Sequence, residues 1–159
     1  MKAVQARGRS PPTRGSFSDE PVRFAARAPR ANAVGIVVGL LQAATPLVFW
    51  WLESATVYAL GLVVIASIYV GFAVADGRPR VIAVESSVTF AFVVVAAAAV
   101  TGSPWLLVAG MAAHGLKDLW QHRSHFVANT RWWPPFCMVV DWVVAAIIVG
   151  EIAAGMHFD

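Results

Sequence analysis

Five long apolar stretches alternate with short polar joints along this chain, at about 33–52, 55–75, 81–100, 105–121 and 135–154. Each approaches the ~20 residues a helix needs to cross a hydrocarbon core, the fourth as a short span. Continuous runs of Ala, Val, Leu and Gly lack the two-residue alternation of a membrane barrel strand, so the pattern predicts helices. The joints Glu53-Ser54, Asp76-Gly77-Arg78-Pro79-Arg80 and Thr101-Gly102-Ser103-Pro104 are short polar turns, which make successive helices antiparallel neighbours. The expected fold is an all-α integral membrane protein, a bundle of five transmembrane helices within residues 33–156.

Within the first stretch, Gly35, Gly39 and Ala43 recur at four-residue spacing. Such a small face lets another helix backbone approach closely. Pro46 in the same stretch marks a local bend or the helix end.

Hydrophobic residues make up 58% of the chain and charged residues 13%, a balance outside the range of soluble domains. All 12 Lys and Arg lie before Ala31 or within 78–80 and 117–131. A nucleic-acid surface needs cations along a water-exposed face, and the apolar runs leave none, so nucleic acid is not an expected partner. Residues 1–32 hold seven cations against Asp19 and Glu20, with few large apolar side chains. They read as a disordered basic tail, resting on anionic lipid where each cation contributes about 1 kcal/mol. With that tail inside, every Lys and Arg falls on the cytoplasmic side, so the expected topology is N-terminus inside and C-terminus outside. Trp50, Trp51 and Trp105 then mark the outer interface, and Trp120, Trp132 and Trp133 the inner one.

The chemistry concentrates between Met111 and Trp142, which contain three of the four histidines and Cys137, the single cysteine. One cysteine permits no intrachain disulfide. His114, Asp118 and His122 stand four residues apart and share one face of the fourth helix. Cys137 and Asp141 are four apart on the fifth, and Glu85 adds a carboxylate on the third, followed one turn later by Thr89. Counted at about 1.5 Å per residue, Glu85, Asp118 and Asp141 come to the inner half of the bilayer, with His114 near its middle and Tyr69 at similar depth. An unpaired ionised group there costs ~2.5–3.5 kcal/mol, so these residues should face one another.

Three function classes remain open. A divalent metal such as zinc could take one His–Asp pair of the fourth helix, His114 with Asp118 or Asp118 with His122, completed by Asp141 or Cys137. Alternatively His114, Asp118 and Asp141, supported by Glu85 and Cys137, could act as catalytic acid and base on a lipid or isoprenoid entering from the bilayer. In a structural or assembly subunit the same groups would pair internally, Asp141 with Lys117 or Arg131 and Glu85 with Arg80, and the partner would be a second copy or another membrane subunit. An ion or proton pathway would need polar residues continuing outward, and only Gln42, Thr45 and Glu151 are available there.

The run His114-x3-Asp118-x3-His122, then Trp132-x-Pro134 and Cys137-x3-Asp141, resembles that of small bacterial multi-pass membrane proteins in uncharacterised families. The resemblance covers about the last third of the chain. It implies a place in the bacterial inner (plasma) membrane and marks the polar stripe as the functional feature, with no substrate attached.

Overall fold

The computed structural model describes residues 28–128, 130 and 132–158. Among them are five long helices, one short one and no strand: α1 (Ala28–Ala43), α2 (Thr45–Val48), α3 (Ser54–Asp76), α4 (Pro79–Thr101), α5 (Trp105–Ser124) and α6 (Trp133–Ala153). The first helix starts at Ala28, ahead of the boundary expected at residue 33, and residues 1–27 of the expected tail lie outside the described residues. The break between α1 and α2 follows from Pro46, which has no N–H to offer the carbonyl of Gln42. The Thr45 hydroxyl donates to that carbonyl instead, at 2.6 Å.

Four of the helices are long and apolar enough to cross a membrane: α1 continued through α2, α3, α4 and α6. α3 and α4, each of 23 residues, extend about 35 Å, enough for a hydrocarbon core of about 30 Å. α5 falls outside that set because His114, Lys117, Asp118 and Gln121 lower its hydropathy. Three of these four residues are buried in the bundle, whereas Leu106, Ala109, Ala113, Leu116 and Trp120 face outward. The outer face of α5 is therefore as apolar as that of its neighbours.

α6 packs between α1 and α5, α3 lies against α4, and α5 joins the two halves by touching both. The small face expected on the first helix is what admits α6. A Cβ on Gly35 would lie 2.9 Å from the Phe136 carbonyl oxygen, and one on Gly39 would lie 2.9 Å from Val143 Cβ. Across the bundle, the Thr89 hydroxyl of α4 donates to the Ala66 carbonyl of α3 at 3.0 Å.

The two ends of the bundle are tied differently. At one end the Asp76 carboxylate accepts from Arg78 at 2.6 and 2.8 Å and from the Ala128 N–H at 2.8 Å, while Arg78 also donates to the Phe126 carbonyl at 2.6 Å. The two basic joints are thus held together, as the antiparallel order expects. At the other end the Tyr58 hydroxyl lies 2.9 Å from the Ala43 carbonyl and 3.0 and 3.1 Å from the two Glu151 carboxylate oxygens. There the C-terminal segment folds back, and the Ala55 N–H donates to the Phe158 carbonyl at 3.2 Å.

Candidate metal centre

Helical spacing places His114 and Asp118 on one face of α5, and Cys137 and Asp141 on one face of α6. The two faces meet because Gly115, next to His114, leaves room for the Trp142 indole of α6, which a Cβ at that position would strike. His114, Asp118 and Asp141 have no solvent-exposed surface, and Cys137 is 2% exposed. One ligand-type atom from each of the four lies within 4.8 Å of the others.

His114 Nδ1 is 2.8 Å from Asp141 Oδ2 and 3.8 Å from Asp118 Oδ2. The imidazole is wedged between aromatic rings, with centroids 4.9 Å from Phe92 and 5.8 Å from Tyr69, both edge-on. The Tyr69 hydroxyl and the Cys137 thiol adjoin Asp118, yet neither Asp118 oxygen is held in a hydrogen bond of normal geometry, and the same is true of Asp141 Oδ1 and His114 Nε2. Buried polar atoms are normally satisfied, so this many orphans at one point calls for a missing positive centre or for protons.

A second buried group adjoins the first on the side of the basic joints. Lys117 Nζ is 2.8 Å from Glu85 Oε2 and sits 3.3 Å from the centroid of the Tyr69 ring, while the Gln121 amide donates to Glu85 Oε1. Glu85 and Gln121 are each 1% exposed. Glu85 is therefore paired with Lys117 rather than with Arg80, and Asp141 with His114 rather than with Lys117, while Arg131, the other partner expected for Asp141, lies outside the described residues.

Of the residues singled out from the sequence, His114, Asp118, Cys137 and Asp141 come together, and Glu85 stands beside them through Lys117. His122 does not join. It is exposed at the end of α5, with its ring 6.5 Å from that of His125, whose left-handed backbone closes the helix. Of the two His–Asp pairs open to a metal, the geometry brings together His114 with Asp118. Lys117, expected as a partner for Asp141, reaches Glu85 instead. The one available signal for this pairing is the lone carboxylate Glu85, which needs a partner at its own depth.

Bonds of about 2.0–2.3 Å to a tetrahedral metal put neighbouring ligand atoms about 3.3–3.8 Å apart. The 3.8 Å separation of His114 and Asp118 already fits. The direct His114–Asp141 contact would have to open, and the widest separations would have to close by about 1 Å, within the reach of side-chain rotation. Nitrogen, sulfur and two carboxylates form a donor set that suits zinc rather than magnesium.

The fold and the cluster together define an all-helical protein with apolar helices of membrane-spanning length and a buried His/Asp/Cys/Asp group. No family model, no curated protein and no solved structure matches the chain.

Proposed function

We propose that this chain is a multi-pass protein of the bacterial inner membrane whose helices close around a divalent metal, best suited to zinc, held by His114, Asp118, Cys137 and Asp141. The observation that carries this reading is a charge imbalance. The buried groups include three carboxylates, Asp118, Asp141 and Glu85, against one ammonium, Lys117. One dication at the convergence of the four ligand atoms offsets two of the three negative charges that remain once Cys137 gives up its proton as a ligand, and it occupies the oxygens of Asp118 and Asp141. Complete burial supports a closed, four-ligand centre of the structural type, in which the metal contributes directly to folding.

The orientation in this reading, N-terminus and basic joints inside, rests on the one-sided cations. The apolar outer face of α5 supports a fifth crossing, and residues 1–27 extend the basic tail on the cytoplasmic side. Elemental analysis of purified protein tests the centre, with near-stoichiometric zinc or another transition metal in the native chain and its loss in Asp118→Asn and Asp141→Asn.

One observation favours a second reading. The 2.8 Å contact between His114 Nδ1 and Asp141 Oδ2 is the arrangement of a histidine oriented by a carboxyl group, and two protons can supply the same balancing charge as one dication. On that reading the protein is metal-free and performs acid/base chemistry on a lipid or isoprenoid, and the same substitutions abolish a lipid-directed activity.

A further inference from the structure

The buried metal group has very different surroundings in its two directions along the bundle. Toward the end that carries Ser54, Gly102 and the C-terminal segment, it is followed by Phe92, Met111, Leu107, Val144, Ile148 and Leu62, all buried and apolar. A cation stripped of water has no ligand for several turns there, and such a passage is prohibitive. Toward the basic joints the next groups are Tyr69, Lys117, Glu85 and Gln121, which bring a carboxylate and an amide to bear.

That end is not open either. Val127 of the joint between α5 and α6 packs on Ala73 and Val81, and the Asp76 and Arg78 bonds hold the joint in place. Beside this cap stands Lys117, whose side chain keeps 12% of its surface exposed while that of Glu85 keeps 1%. The Lys117 Nζ itself is buried, so only the stem reaches the surface, and the ammonium occupies the carboxylate that an incoming cation would meet first.

We infer that the Glu85–Lys117 ion pair is the gate of the metal centre: Lys117 swings outward on its flexible stem, Glu85 takes the incoming cation in its place, and the cation passes to Asp118 and the other three ligands. Loading and unloading both run through this one end, so the centre is a dead end and does not conduct. The inference rests on the proposed metal centre but concerns rates, whereas the centre itself concerns stoichiometry.

The test uses the full chain in detergent, depleted of metal with a chelator and then given zinc ion, with uptake followed over time and the final zinc content measured. Glu85→Gln should slow both uptake and chelator extraction about tenfold or more, because the way-station charge is lost, while final zinc content stays that of the native chain. Glu85→Asp should restore the rates. The neutral pair Glu85→Gln with Lys117→Met leaves no unpaired charge to disturb folding, and should load as slowly as Glu85→Gln alone. Native rates in both Glu85→Gln and the neutral pair would overturn the gate while leaving the centre standing. A native chain that takes up no zinc would overturn both. In sealed vesicles, loading by zinc presented from the face of residues 53–54 and 101–104 would also refute it.

Discussion

His114 of α5 and Asp141 of α6 meet at 2.8 Å between Nδ1 and Oδ2, with no exposed surface on either side chain. This contact joins the two helices at the depth where the other ligand-type atoms converge, so the pair holds the packing and also forms one edge of the candidate centre. Removing one partner leaves the other as an unsatisfied buried polar group, at a cost of about 1–3 kcal/mol. Asp141→Ala should lose stability on that scale in thermal unfolding in detergent. Asp141→Asn keeps a carbonyl for Nδ1–H, so in metal-depleted protein it should stay close to the native chain in stability, while zinc should neither bind to it nor stabilise it. Zinc that raises the unfolding midpoint of Asp141→Asn as much as that of the native chain would argue against a ligand role for the carboxylate.

The contact between α1 and α6 depends on the absence of side chains at Gly35 and Gly39. A Cβ at Gly39 would lie 2.9 Å from Val143 Cβ and 3.2 Å from the Val140 carbonyl oxygen. Gly39→Leu should therefore destabilise by about 1–3 kcal/mol, read as a lowered midpoint of unfolding. Because Val140 and Asp141 are neighbours on α6, the same change should also lower metal affinity. Gly71, where a Cβ would meet nothing within 4 Å, is the control: Gly71→Ala should leave metal affinity unchanged and hold or raise stability, by up to about 1 kcal/mol from the better helix former.

The far end of the bundle is secured by Tyr58, 1% exposed, whose single hydroxyl proton is shared among Ala43 O and the two Glu151 oxygens. Tyr58→Phe removes that donor and should cost about 0.5–1.5 kcal/mol. The candidate centre lies beyond the intervening apolar layer, so any zinc content of the native chain should be unchanged in this variant. A loss of zinc in Tyr58→Phe would show that the two ends are coupled.

The five long helices, four of them as apolar spans, the packing face at Gly35 and Gly39 and the meeting of Asp141 with the His114 face are legible in the sequence, because each follows from helical periodicity and the cost of isolated charge in lipid. What periodicity leaves out is the order of helices around the bundle. That α1 packs on α6, and that Lys117 reaches Glu85 of α4, both depend on interhelical rotation. His122 illustrates the same limit at a helix end. It keeps the four-residue spacing, but α5 closes at Ser124 and leaves its ring exposed. Conversely, the buried stripe of α5 keeps that helix outside the apolar set, although its outward residues are apolar.

Topology has its own test. Reporters active only outside the membrane, fused after Asp159 and at position 102, should both give signal, and one fused at residue 77 should be silent. Silence from the first two with signal from the third would invert the orientation, although the bundle itself would stand.

Metal content of the purified native chain tests the central claim most directly. Elemental analysis should find close to one zinc or other transition-metal ion per chain. The content should fall together in Asp118→Asn and Asp141→Asn and remain in His122→Gln. A metal-free native chain, or one whose metal survives both aspartate substitutions, would contradict the account.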